Sequence, residues 1–127
     1  MKRIAIPFFF LALTIGITSY AQSQVLEPED YQALANSKAN KVVLDVRTAP
    51  EFAQGHLPGA VMVDFNQANF KESVLKLDKN KPVFVYCAAG ARSKNAASVL
   101  VDLGFKQVFD LRGGLHAWKS AGLPVVK

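Results

Sequence analysis

The sequence predicts an α/β fold, with a central, mainly parallel β-sheet flanked by helices on both faces. Two observations lead there. Short apolar runs of strand length alternate with segments whose apolar residues recur every three or four positions. The strand-length runs are apolar almost without a break, as strands covered on both faces are. Half of the 127 residues are apolar, which suits one compact domain.

The chain opens with Lys2 and Arg3, an apolar run from Ile4 to Ile17, and small residues at Ser19 and Ala21. This is the three-part layout of a secretory signal, with cleavage expected after Ala21. The rival reading is a membrane anchor. The run is shorter than the roughly 20 residues a spanning helix needs, and it carries Pro7 and Gly16. Residues 1–21 are therefore expected to be removed, and residues 22–127 to form one soluble, exported, periplasmic domain that does not span the membrane.

Within that domain, Glu27-Pro28-Glu29-Asp30 places acids and a proline where a helix starts, with Tyr31, Leu34 and Ala35 on one face. Lys41 to Val46 reads as a buried strand. Glu51 to Gln54 forms a helical turn ended by Gly55, and His56-Leu57-Pro58-Gly59 is a turn. Val61 to Val63 is a short strand, and Phe70 to Leu77 an amphipathic helix carrying Phe70, Val74 and Leu77. Pro82 introduces the strand Val83 to Tyr86. A helix from Ser93 to Leu103 follows, lined by Ala96, Leu100 and Leu103 and stopped by Gly104. Gln107 to Asp110 is a further strand. Gly113-Gly114 breaks the chain before a short helix through Trp118, and Gly122-Leu123-Pro124 turns into the tail.

Net charge is +5, and Lys2 and Arg3 supply two of it. The densest basic stretch, Lys76 to Lys81, is broken by Asp78 and lacks aromatics, so it reads as a solvated turn, and no nucleic-acid partner is expected. No His or Cys is spaced to hold a metal with His56, so neither metal nor cofactor is expected.

Cys87 is the sole cysteine. It ends the strand Val83 to Tyr86 and precedes a helix, and ligands of parallel sheets sit at the carboxyl ends of strands. A cysteine there is either one more apolar residue or a reactive thiol. Ala88-Ala89-Gly90-Ala91 has no side chain that reaches a ligand, so its backbone is exposed to whatever approaches. Amides from Ala88 to Arg92 curled inward would form a nest of partial positive charge, joined by the start of the helix. Arg92 adds a fixed charge that opposes the helix dipole and calls for an anion nearby. Such a cradle favours a thiolate and lowers the pKa of Cys87. Neither His56 nor His116 stands near it in sequence.

Val85-Tyr86-Cys87-Ala88-Ala89-Gly90-Ala91-Arg92-Ser93 resembles the active-site loop of rhodanese-like single-domain sulfurtransferases, C-x-x-G-x-R. Leu44 to Phe52 is similar to that family's D-V-R-x-x-x-E-[FY] segment, and Gly55 to Ala60 to its G-H-[IL]-P-G-A turn. Leu103-Gly104-Phe105, Leu111 to Trp118 and Ala121 to Val125 are similar to its carboxyl-terminal pattern.

The resemblance implies a single rhodanese-like domain in which Cys87 is catalytic. Ala88, Ala89, Gly90, Ala91 and Arg92 would bind the substrate. It further implies that a small-molecule sulfur donor such as thiosulfate leaves its outer sulfur on Cys87 as a persulfide, which cyanide or a thiol then takes up. A non-catalytic sulfur-relay module, loaded by a partner protein, is the alternative. The family's efficient users of thiosulfate often carry further cations near the loop, and here the nearest is Lys94. Related cysteine phosphatases place five residues between Cys and Arg, and this chain places four.

Among the remaining residues, Asp45 and Arg47 read as a salt bridge holding a loop, and His56 as holding its own turn by hydrogen bonds. Gly113 and Gly114 read as turn residues, and Trp118, Met62 and Phe109 as core.

Overall fold

The computed structural model describes residues 2–8, 11–12 and 22–127. The expected signal cleavage site, Ser19 to Ala21, lies outside the described residues. Ile4, Ile6, Phe8 and Leu11 are all exposed. Among the described residues, no helix is long and apolar enough to cross a membrane.

The elements run β1 (Ser23–Leu26), α1 (Pro28–Ser37), β2 (Val42–Asp45), α2 (Ala49–Gln54), β3 (Val61–Met62), α3 (Phe70–Val74), β4 (Val83–Tyr86), α4 (Ala91–Asp102), β5 (Val108–Leu111) and α5 (Gly114–Ser120). The strands form one sheet in the order β1-β5-β4-β2-β3, and every neighbouring pair is parallel.

The continuous apolar run of β4 is explained by its place near the middle of that sheet. Val83 and Val85 face α3 and α4, packing with Phe70, Val74, Ala96 and Leu100. Phe84 and Tyr86 face the other side, with Tyr31 and Ala35 of α1 and Leu115 and Trp118 of α5. All four β4 residues are buried, and burial of each large apolar side chain contributes about 1.5–3 kcal/mol. Helices thus cover both faces, as the unbroken apolar strands require.

Four details differ from the sequence reading. The edge strand β1 carries the polar residues Ser23 and Gln24 and is largely exposed, so no apolar run announces it. Helix α3 ends at Val74, because the hydrogen bonds from Lys76 N to Ser73 O and from Leu77 N to Val74 O tighten the chain into turns. Helix α4 begins at Ala91, two residues earlier than expected, after Gly90 at φ 110°. Met62 is only half-buried, since β3 is the opposite edge of the sheet.

Parallel register brings the carboxyl ends of three strands to one rim. Asp45 of β2 lies opposite Tyr86 of β4, and Val85 of β4 opposite Asp110 of β5. Cys87 leaves the sheet at this rim.

Candidate active site

Cys87 follows β4 directly and is 1% exposed. On one side it joins the apolar cluster containing Val85 and Ala97. On the other, its sulfur meets polar groups. The Gly90 amide donates to Sγ at 3.1 Å, and the thiol lies 3.5 Å from Ser93 Oγ. Burial pushes the thiol pKa up. Hydrogen bonds from the Ser93 hydroxyl and from the amides of Ser93, Gly90 and Ala89 outweigh that, so Cys87 lies below its ordinary value.

Gly90 makes this geometry possible. Its φ of 110° is a conformation that favours glycine, and it turns the chain from the loop into α4. Among the described residues, Gly90 is the one whose amide stands within hydrogen-bond distance of the sulfur, while the amides of Ala89 and Ser93 help to lower its pKa. Ala88 faces a cavity of about 170 Å³ shared with Glu51, Gly55, His116 and Lys119. Ala89, Gly90 and Ala91 line a different cavity of about 410 Å³, with Lys94 and Asp110.

Arg92 does not point a free guanidinium at the sulfur. Its Nη1 and Nη2 donate to the two carboxylate oxygens of Glu51 at 2.7 and 2.9 Å. Glu51 is therefore the anion that the charge at this helix start calls for, and it comes from α2 rather than from the loop. Glu51 is placed by a capping box with Thr48: the Glu51 amide donates to Thr48 Oγ1, and Glu51 Oε1 accepts from the Thr48 amide. The pairing with Arg92, helped by the Thr48 bonds, lowers the Glu51 pKa to about 2.

The Asp45–Arg47 pair holds α2 in reach of Arg92. Arg47 Nη2 donates to Asp45 Oδ2 and to the Gly55 carbonyl, both at 2.7 Å. Tyr86 OH donates to Asp45 Oδ2 at 2.6 Å and accepts from the Leu57 amide at 3.1 Å. The expected salt bridge is present, and it ties β2, β4 and the turn after α2 into one buried network.

The two histidines lie elsewhere than sequence suggests. His56 binds the tail, not its own turn: its amide donates to the Val126 carbonyl at 2.8 Å, and its ring Nδ1 lies 3.3 Å from the same oxygen. The His116 amide donates to the Ala88 carbonyl at 3.0 Å, so folding brings this residue beside the loop. Its neighbour Gly114 is more than a turn residue. A Cβ at Gly114 would stand 2.5 Å from the Cys87 carbonyl oxygen and 2.6 Å from the Ala88 carbonyl carbon. The backbones of α5 and the loop approach so closely that only glycine fits.

Ser93, Asp110 and the bond between Glu51 and Arg92 escape a reading of the sequence. Ser93 had one signal, its place just after the loop in the first turn of a helix. Asp110 had another, an acid within an otherwise apolar strand. The Glu51–Arg92 pair spans 41 residues, and nothing in the spacing announces it.

Comparison with known proteins agrees with this geometry. The family model described as the rhodanese-like domain matches residues 27–121. A protein named sulfurtransferase from Allochromatium vinosum is 37% identical over 95 residues, covering 75% of this chain and 86% of its own. A thiosulfate sulfurtransferase GlpE from Pseudomonas fluorescens is 39% identical over 95 residues, covering 75% and 84%. Among solved structures, a rhodanese-related protein from Thermoplasma volcanium superposes with a TM-score of 0.72 at 28% identity, covering 81% of this chain and 97% of its own. With its parallel sheet, its loop after β4 and these relatives, the chain belongs to the rhodanese-like domain family.

Proposed function

We propose that this protein is a rhodanese-type sulfurtransferase with Cys87 as nucleophile and sulfur carrier. The Cys87 thiolate attacks the outer sulfur of a donor such as thiosulfate. A bond forms between Sγ and that sulfur, the donor's sulfur–sulfur bond breaks, and sulfite departs with the electron pair. The persulfide then gives its outer sulfur to cyanide or a thiol: the acceptor bonds the sulfur, the persulfide bond breaks, and the thiolate returns. No other oxidant or reductant is needed. The Gly90 amide, in the loop from Ala88 to Arg92, stabilises the anionic sulfur.

The observation that carries this reading is the Gly90 amide, 3.1 Å from a thiol whose pKa is lowered by hydrogen bonds. Relatives named as sulfurtransferases support the reaction class. The near-complete burial of Cys87 suits a transfer in which only a sulfur atom reaches it.

One observation favours a second reading, a sulfur-relay module loaded by a partner protein. Arg92 is neutralised by Glu51, which leaves the dianion thiosulfate without that cation. A related solved structure from Rhodopseudomonas palustris, 30% identical, is titled a possible tyrosine phosphatase. Four residues between Cys87 and Arg92 make a loop too short for the phosphatase pattern.

The test is mass spectrometry of the purified protein after thiosulfate treatment, with thiocyanate release followed on adding cyanide. Addition of one sulfur with turnover, both lost in Cys87→Ser, is the expected result. Addition without turnover assigns the relay. No addition, together with a Cys87 inert to alkylation at neutral pH, overturns both.

We also propose export of the chain to the periplasm, with removal of residues 1–21. The supporting features are the charged start, the apolar run and the small residues up to Ala21.

A further inference from the structure

Asp110 lies in β5 next to the rim from which Cys87 departs, and it is 3% exposed. Its Oδ1 is buried and has no hydrogen-bond partner. Buried polar atoms nearly always have one, so this exception calls for a reason. Asp110 lines the 410 Å³ cavity beside the loop, with Ala89, Gly90, Lys94 and Arg112. That volume falls within the roughly 300–1,000 Å³ of small-molecule sites.

The charges around this cavity narrow what it can hold. Arg112 is already paired with Glu27, at 2.7 Å. Among the described residues, Lys94 makes no ion pair, and although it lines the same cavity as Asp110 the two do not pair with each other. The cavity thus presents one buried carboxyl short of a donor and one lysine short of an acid. Burial pushes the Asp110 carboxyl above its ordinary range, as expected of a negative charge with too few partners. A molecule that satisfies both groups carries an ammonium and an anionic group. The alanines and glycine between them add no charge of their own, so recognition rests on that pair.

We propose that this cavity binds the sulfur acceptor, and that the acceptor is a thiol of the amino-acid class, its ammonium donating to Asp110 and its carboxylate facing Lys94. Gly90 belongs to both the cavity and the reaction: it lines the wall, and its amide donates to Cys87 Sγ at 3.1 Å. A thiol anchored here is held at the loop that carries the sulfur. It reacts as the thiolate, its proton having gone to solvent. The acceptor sulfur bonds the outer sulfur of the Cys87 persulfide, the bond from that sulfur to Sγ breaks, and Sγ keeps the electron pair. The acceptor leaves as a persulfide. Asp110 and Lys94 hold the acceptor away from its reacting atom and set its affinity. The proposal deepens the sulfurtransferase reading and rests on it.

Two measurements on the purified protein test it. Calorimetric titration with L-serine, which has a hydroxyl where cysteine has a thiol, reads binding without any sulfur transfer. Steady-state turnover with thiosulfate compares three acceptors: L-cysteine, cysteamine, which lacks the carboxylate, and 3-mercaptopropionate, which lacks the ammonium. Serine is expected to bind, and about tenfold more weakly in Asp110→Asn, the loss of one charge-assisted hydrogen bond. In Lys94→Gln the loss is about threefold, because Lys94 is exposed. Asp110→Asn should raise KM for L-cysteine and cysteamine relative to 3-mercaptopropionate. Lys94→Gln should raise it for L-cysteine and 3-mercaptopropionate relative to cysteamine, and this surface variant decides the matter if Asp110→Asn fails to fold. No serine binding, or binding that neither substitution weakens, overturns the proposal, as does an acceptor order that neither substitution alters. If the protein loads no sulfur yet binds serine through Asp110, the sulfurtransferase reading fails while the site stands. Turnover with none of these acceptor differences does the reverse.

Discussion

A methyl group added to Gly114 would stand 2.5 Å from the Cys87 carbonyl oxygen, inside any real Cβ contact, and at φ +61° the backbone itself disfavours alanine. The obstacle is main chain, which cannot swing aside as a side chain would. Gly114→Ala is therefore expected to push the loop off α5 and break the bonds from Leu115 N to Cys87 O and from His116 N to Ala88 O. The cost expected is about 2 kcal/mol or more, from overpacking and backbone strain together. Urea unfolding measures it, and sulfur loading should slow in parallel, because the Gly90 amide moves with the loop. Unchanged stability would show that α5 and the loop can separate freely. The residue's place in a Gly-Gly pair reads as a turn, and its real function is close packing.

The helix α2 is short, and its carboxylate links two elements. Glu51 binds Thr48 at its own helix start and Arg92 at the start of α4. Its folded-state pKa of about 2 lies below the ordinary carboxylate value of 4.5, with the Arg92 hydrogen bonds as the largest cause. A depressed carboxyl contributes stability above its unfolded pKa and loses that contribution as pH falls through the folded one. Melting temperature should therefore fall between pH 4.5 and about 2, and Glu51→Gln should flatten the curve in that window. Glu51 is about one-third exposed, so solvent screens part of the effect. Equal slopes in wild type and variant would show that the ion pair adds nothing. The same substitution releases Arg92, and faster loading with thiosulfate would show that Glu51 competes with the donor for its charge.

For the whole molecule, the fold accounts for how a domain with a single cysteine is held without disulfides. Two apolar clusters sandwich one parallel sheet, and the buried Asp45–Arg47–Tyr86 network connects its strands to the turn after α2. Strand β1 begins at Ser23, two residues past the expected cleavage point, and pairs with β5 along its length. Removal of residues 1–21 would leave all five strands intact. Expressed in an exporting bacterium, the protein is expected to appear in the periplasm with an amino terminus at Gln22. Amino-terminal sequencing checks this, and a periplasmic or membrane-bound product retaining Met1 would overturn it.

From the order of residues alone came the α/β class, the central strands β2, β4 and β5, the helix α1 and most of α4, and Cys87 at a strand's carboxyl end. Those features are local: apolar runs, helical spacing, and glycines and prolines at the breaks. The motif around Cys87 is local too, which is why the family resemblance was legible there. The edge strand β1 was not, since an exposed strand needs no apolar pattern and is defined by the neighbour it pairs with. Only the tertiary structure decided that Arg92 is held by Glu51, that Gly114 abuts the loop, and that Ser93 stands beside the thiol. Each joins residues from separate elements. The parallel register that gathers three strand ends at one rim sets those contacts, and no spacing along the chain encodes them.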